Sequence, residues 1–501
     1  MKYLIDEQNC NPSCLDENGN TLLHEASIDG YLDVVKYLTL EKSCDPTAHR
    51  KHDSYTPIHL ASLSGHLEIV RFFISKLNCD PNIPGLYKRT PLHIAACQGQ
   101  LHIIKYLIEE QNCNPSCLDE YNDTPLHEAS RYGHLNIARY LTIEKQCDPS
   151  VSRNSNDFTP ILLASHSGHL EVVRFFITEL NRTPNIPRDY TTECLCSAAV
   201  QGHLHIIKYI IEEQDCSPFY VDEDGNTLLH YASLGGSLDV VKYLVLEKNC
   251  DPNLHRISDS YTPIHLASLE GHLEVVRFII SELNCDPYIP AMYRATPLHF
   301  AANKGHLHVM KYLIEEQNCN PSILDENGGT PLHDAATGGS LDAVKYLVLE
   351  NKCDPTVRRK IDSYTPIHVA SMSGHLEVVR FFISEFNCDP NISGQYKITP
   401  LHLAASKGHL HIMKYLIEEQ NCNPSCLDEN GSTPLHGSIF SGSFDAVRYL
   451  TLEKNCDPTV LRKSDSITPI HLALLMGHTE VVRLFIFILL YSVCYLNIPR
   501  K

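Results

Sequence analysis

The stretch TPLHIAACQGQLHIIKYL, Thr90 to Leu107, carries its own start and stop signals. Thr90 is a helix N-cap, and Pro91 takes the first helical position, where the N–H it lacks would have had no intrahelical partner. The helix stops at Gly99, a C′ residue suited to left-handed geometry. In the second helix Leu101, Ile104, Leu107 and Ile108 fall at i, i+3, i+6 and i+7 and form one apolar stripe. Asn112 tolerates the αL conformation that ends this helix, and CNPSCLDEYND (Cys113 to Asp123) reads as a turn-rich projecting loop.

Neither short helix buries its stripe alone, so the fold depends on whether the unit recurs. Related tetrads start at Thr21, Thr56, Thr90, Thr124, Thr159, Glu193, Thr227, Thr262, Thr296, Thr330, Thr365, Thr399, Thr433 and Thr468. These fourteen repeats are spaced 35, 34 and 34 residues in rotation, so a 103-residue block of three repeat types is copied without insertion or deletion. The first, second and third types begin at Thr21, Thr56 and Thr90. Stacking on neighbours must create the core, and the Ala95-Ala96 pair allows close approach between repeats.

TPIHLASLSGHLEIVRFF from Thr56, TPLHIAACQGQLHIIKYL from Thr90 and their counterparts along nearly the whole chain resemble the ankyrin repeat family. The resemblance implies an all-α solenoid of helix-turn-helix-loop units stacked into a curved superhelical array. Its hairpin fingers and inner helices would form a concave face that binds other proteins. The chain departs from the family in writing NCDP or NCNP where Gly-Ala-Asp is usual, and in adding one or two residues per repeat. On this reading 1–20 is a partial repeat, 21–483 the array, and 484–501 a divergent apolar tail.

Composition narrows the classes. The chain has 501 residues, 43% hydrophobic and 20% charged, which fits an ordered soluble protein. A net charge of −19 argues against a nucleic-acid partner, because no clustered basic face dominates. The start, MKYLIDEQNCNPS, is not a secretory signal, so an intracellular and cytoplasmic location is expected, with the cysteines as thiols. The sequons at Asn181, Asn391 and Asn430 are then chance matches. The apolar run 484–496 has 13 residues, short of the roughly 20 needed to span a bilayer. It is still the one candidate membrane contact.

Twenty cysteines and 29 histidines raise the question of metal or nucleophilic chemistry. In the 103-residue register Cys10, Cys113, Cys216, Cys319 and Cys422 recur, whereas the second thiol of the motif reads Cys14, Cys117, Tyr220, Ile323 and Cys426. A position that becomes Tyr or Ile is not a required zinc ligand. Thirteen cysteines sit where the family resemblance implies a small buried residue, a place that suits a thiol as a small hydrophobe. Twelve histidines lie in the tetrad, nine follow the inter-helix Gly, and four lie in LH(I/V) runs. The resemblance implies that the tetrad His bonds backbone and links repeats, and Leu162 and Cys196 replace it in two copies. No phosphate loop or catalytic signature is present. No enzyme activity, cofactor or metal is expected.

Partner-binding candidates come from positions that vary while the scaffold repeats. Fingers entering first-type repeats are acidic (Asp16-Glu17, Asp119-Glu120, Asp222-Glu223, Asp325-Glu326, Asp428-Glu429), and those entering second-type repeats are basic (Arg50-Lys51, Arg358-Arg359-Lys360, Arg462-Lys463). Those entering third-type repeats pair an aromatic with a cation: Tyr87-Lys88, Tyr293-Arg294 and Tyr396-Lys397. Either the fingers form solvated ion pairs of at most about 1 kcal/mol each, or they form a charge-patterned ladder that selects an extended or repetitive partner. Inner helices of the first type vary most, at Glu25, Asp29, Glu128, Arg131, Tyr132, Tyr231, Asp334 and Phe440. Tyr132 and Phe440 are the candidate anchors. The expected function is a non-catalytic scaffold or adaptor. The alternatives are the recognition arm of a larger enzyme, such as a kinase or ubiquitin ligase, and a membrane-linked adaptor.

Overall fold

The computed structural model describes residues 5–7, 11–153, 157–180 and 190–496. Among these residues there are 28 α-helices and no strands, with one isolated bridge between Val221 and Thr227. The chain divides into two compact units, Met1–Tyr220 and Val221–Lys501.

In the first unit the inner helices are Leu22–Asp29, Pro57–Ser64, Pro91–Cys97, Pro125–Arg131, Pro160–His166 and Tyr190–Gln201. In the second they are Leu228–Leu234, Pro263–Glu270, Pro297–Lys304, Pro331–Gly338, Pro366–Ser373, Pro400–Ser406, Pro434–Phe440 and Pro469–Leu475. Within each unit every inner helix packs on the next, and each is followed by an outer helix that lies against it. This is the all-α solenoid arrangement that the repeat predicts, with contacts confined to neighbours.

Local signals behave as read. Thr90 is extended at φ −93°, its hydroxyl accepts the His93 backbone N–H, and the His93 ring accepts the Thr90 backbone N–H in a reciprocal cap. Gly99 has φ 78° and Asn112 has φ 57°, the two left-handed stops. The second stop has a feature that the apolar stripe does not announce. Leu101–Lys105 is α-helical, but Tyr106–Glu110 widens by one residue per turn, with the Gln111 amide donating to the Tyr106 carbonyl at 3.2 Å. Cys113 then donates to the Leu107 carbonyl at 3.0 Å and closes the end. The outer helices Leu67–Leu77 and Leu376–Phe386 stay α-helical throughout.

The core is made of the stripe residues and the small residues between helices. Ala95, Ala96, Ile103, Ile104 and Leu107 are fully buried. Cys79, Cys113, Cys250, Cys319 and Cys388 are buried, and burial pushes each of these thiols up to about 11. A thiol held that high carries little thiolate and fills space at this position. Residues 1–4 and 8–10 of the partial repeat and 497–501 of the tail lie outside the described residues. Among the described residues no helix is long and apolar enough to cross a membrane.

Candidate interaction face

Polar groups that recur in every copy are engaged in holding repeats together. In the tetrad, the Thr90 backbone donates to His93 Nδ1 at 3.2 Å. Nδ1 is therefore an acceptor, the ring carries its proton on Nε2, and Nε2 donates to the Asp123 carbonyl of the next finger at 3.1 Å. The same arrangement links His59 to Arg89, His265 to Ile289 and His368 to Ile398, at 2.9–3.2 Å. Burial holds His59, His93, His265 and His368 at about 4, well below the ordinary imidazole value.

The histidine after the inter-helix Gly points the other way. His66 donates to the Ile28 carbonyl of the preceding repeat at 2.8 Å, and His134, His306 and His409 bond Cys97, Leu269 and Met372 at 2.9–3.0 Å. His102, His205, His308 and His411 reach back to Gly65, Gly168, Gly271 and Gly374 at 2.7–3.0 Å. Where both histidines are present, as at His59 and His66, a helix pair is tied by imidazoles both forward and backward. On the outer helices a third ladder runs through cations stacked on tyrosines, such as Arg71 over Tyr106 at 4.6 Å and Arg380 over Tyr415 at 4.3 Å.

Fingers are joined at their tips by backbone hydrogen bonds. The Lys360 amide donates to Asn327 at 2.7 Å, Gln395 to Asp362 at 2.8 Å, Glu429 to Tyr396 at 2.8 Å and Lys463 to Asn430 at 2.7 Å. The basic fingers are largely neutralised from within. Arg50 pairs with Asp53, Arg256 with Asp259, Arg359 with Asp362 and Arg462 with Asp465, each three residues on in the same loop. Arg358 donates to the Ser363 and Ser393 carbonyls at 3.0 and 2.8 Å, while Lys51 stays exposed. The exposed cations of these fingers that have no acid beside them in their own loop include Lys51, Arg358, Lys360 and Lys463.

The third-type fingers differ. Tyr87, Tyr293 and Tyr396 sit at φ 56°, followed by Lys88, Arg294 and Lys397 at φ 58–59°. A left-handed tyrosine is rare, and here it turns the ring outward. The tyrosines are 43%, 54% and 52% exposed, and the cations beside them are exposed too. Tyr87 touches Tyr121 of the next finger, with ring centroids 5.0 Å apart. On the inner helices Tyr132 and Phe440 are 46% and 59% exposed, and Glu25 and Asp29 also face solvent.

Other variable inner-helix residues are placed differently. Tyr231 donates its hydroxyl to Asp222 at 2.5 Å. Asp334 is half-buried, and burial, then the charge of Asp325, pushes its carboxyl up to about 8 despite Arg359 nearby. Glu128 and Arg131 belong to a network that single-position variation does not reveal. Arg89 of the preceding finger reaches Asp119 at 3.3 Å and Glu128 at 2.8 Å. Arg131 reaches Asp123 at 3.0 Å and Glu128 at 3.6 Å, and Arg153 of the following finger reaches Asp123 at 2.9 Å. The three carboxylate side chains are 0% exposed. Burial raises the pKa of Asp123 and Glu128, and the guanidiniums oppose it. Glu128 is thus turned inward, away from solvent.

Asp119, Asp123 and Glu128 are also the one convergent set of metal-type ligand atoms among the described residues, lying within 4.8 Å of one another. Three arginines already balance the three carboxylates, so a cation would have to displace a guanidinium. The thiols do not converge with the imidazoles in the same way. Cys117 Sγ has only the Thr90 hydroxyl at 3.9 Å and His93 Nδ1 at 3.8 Å, and burial pushes it up to about 11.

Capped helix pairs, stacked on their neighbours within each unit and each followed by a finger, define a tandem-repeat solenoid. A family model described as ankyrin repeats (three copies) matches residues 1–85, 77–153, 161–256, 195–291, 264–359, 317–394, 343–420 and 367–462. The chain belongs to the ankyrin repeat family, whose repeats are general protein–protein interaction modules. No curated protein matches the chain as a relative.

Proposed function

We propose that this chain is a non-catalytic scaffold that binds partner proteins along its fingers and inner helices, within the cell. The observation that carries this reading is the set of exposed tyrosines Tyr87, Tyr293 and Tyr396, each held at a left-handed finger tip beside a cation. These rings stay about half exposed at the finger tips, and tyrosine and arginine are enriched among the residues that dominate protein interfaces. Tyr132 and Phe440 add two rings on the inner helices. Most recurring His and Arg groups have internal partners, which leaves these variable positions to individualise the face.

The test is site-specific photocrosslinking in the source cells. Benzoylphenylalanine at Tyr293 or Phe440 is expected to capture proteins that the same probe at Leu246, exposed on an outer helix, does not. Equal capture from Leu246 would overturn the assignment of the face.

A further inference from the structure

The 103-residue register allows one position to be followed through five environments. It pairs the finger aspartates Asp16, Asp119, Asp222, Asp325 and Asp428 with the inner-helix residues Glu25, Glu128, Tyr231, Asp334 and Gly437. In the second copy the pair is bridged by a guanidinium, with Arg89 on both Asp119 and Glu128. In the third copy the pair closes directly, through the Tyr231 hydroxyl on Asp222 Oδ2 at 2.5 Å. Asp222 Oδ2 also accepts the Asn226 amide at 2.9 Å, as Asp16 Oδ2 accepts that of Asn20.

The fourth copy keeps both acids and lacks the side-chain donors that the second and third copies use. Ala295 stands where the second copy has Arg89, Gly329 where the first and third have asparagine, and Thr337 where the second has Arg131. Asp325 Oδ1 accepts the Gly329 amide at 2.6 Å, and among the described residues no side chain donates to Asp325 Oδ2 or to the Asp334 carboxyl. Arg359, the remaining cation, is held by Asp362, with Nε at 3.2 Å from Oδ1. Ala295 is half-buried and ends at its Cβ where Arg89 extends a guanidinium two periods earlier. Two acidic side chains that interact electrostatically, Asp334 held largely protonated at neutral pH by burial and by the charge of Asp325, lack here the guanidinium that the same chain uses in the second copy to bridge the pair.

We propose that Asp325 and Asp334 form a docking site for an arginine side chain of a partner protein, a reading that rests on the interaction face described under Proposed function. The planar fork suits two carboxylates on separate elements better than an ammonium does, and Arg89 is the working example. The partner's arginine would supply the donors that Asn226, Tyr231 and Arg89 supply in the sister copies.

The test uses the full chain with Ala295→Arg, Ala295→Gln and Asp334→Asn. Two readouts are taken: the carbon-13 titration of the Asp334 carboxyl, and selection of randomised displayed peptides. Ala295→Arg is expected to bring Asp334 down from about 8, as the guanidiniums oppose the raise at Glu128, while Ala295→Gln leaves it high. Peptides selected on the parent chain are expected to be arginine-rich and to bind Ala295→Arg and Asp334→Asn at least tenfold more weakly. An Asp334 that titrates unchanged in Ala295→Arg would overturn the proposal, as would selected peptides rich in lysine instead of arginine. Peptides that depend on Tyr293 and Phe440 but ignore Ala295→Arg would overturn the arginine site and leave the interaction face standing. A chain that selects no peptide would overturn both.

Discussion

Acid should open this molecule repeat by repeat, through the tetrad histidines. His59, His93, His127, His230, His265, His299, His333 and His368 are all held at about 4 by burial, against an ordinary value of 6.5. The folded state binds fewer protons than the unfolded state between these values, so the stability is present above pH 6.5 and is lost as pH falls toward 4. At pH 5 an unfolded imidazole is almost fully protonated and a folded one about one-tenth so, which removes about 2 kcal/mol per ring relative to neutral pH. The cause is structural. Nδ1 accepts the Thr backbone N–H, and a proton placed there breaks the cap of the inner helix. Because repeats contact only neighbours, the loss is local, and summed over eight rings it exceeds the about 5–15 kcal/mol of a typical domain.

Hydrogen exchange followed by mass spectrometry, corrected for the intrinsic pH dependence of exchange, checks this. The opening constants of Pro57–Ser64, Pro263–Glu270 and Pro366–Ser373 should rise about thirtyfold from pH 7 to pH 5. His59→Leu, which copies the natural Leu162, should lower protection at pH 8 yet flatten the acid response of its own helix. Opening constants that stay within threefold between the two pH values, or a His59→Leu chain with an unchanged acid response, would refute the reasoning.

Two further outcomes are expected. Arg89→Ala leaves Asp119 and Glu128 buried without their bridging cation and should cost about 3–5 kcal/mol in urea unfolding, much of it recovered by adding Glu128→Gln; a loss under 1 kcal/mol would show that the network is solvated. Alkylation of the native chain at pH 8 should reach the exposed Cys14 first and label Cys79, Cys113 and Cys319 more than a hundredfold more slowly, since thiols held near 11 are about 0.1% thiolate there; comparable rates would contradict the packing of the finger base.

The helix pairs were legible because each signal acts within a few residues. A Thr-Pro cap, a Gly or Asn stop and an apolar stripe each fix one local decision, and fourteen copies average out the exceptions. The buried ion network was not legible, because it is written across three loops. Asn20 becomes Asp123 in the next period, while Asp53 becomes Asn156, which lies outside the described residues. The carboxylate has in effect moved from one finger to the preceding one. Arg153 follows it to Asp123 instead of pairing within its own loop as Arg50 does. Neither change carries meaning alone, and Glu128 and Arg131, judged one position at a time, looked like surface variation. Only the joint register of Arg89, Asp123, Glu128 and Arg153 reveals a core ion cluster.

The same pairing logic sets what a partner would meet. Neutralising Arg50, Arg256, Arg359 and Arg462 within their loops withdraws the cations best able to fork a carboxylate. Tying Asp16 and Asp222 to their loop amides withdraws the matching acids. At the tips that leaves glutamates such as Glu17, Glu120, Glu326 and Glu429 and lysines such as Lys51, Lys360 and Lys463, all exposed and strongly hydrated. Such rim charges steer encounter and are screened by salt, while contributing little to the bound state. On the proposed reading, affinity comes from the rings at Tyr87, Tyr293, Tyr396, Tyr132 and Phe440, and from Asp325 and Asp334, which lack the side-chain donors of the sister copies. A partner of this chain should therefore associate more slowly as salt rises and yet dissociate at nearly the same rate. The exception is an arginine seated on Asp334, whose removal would speed dissociation.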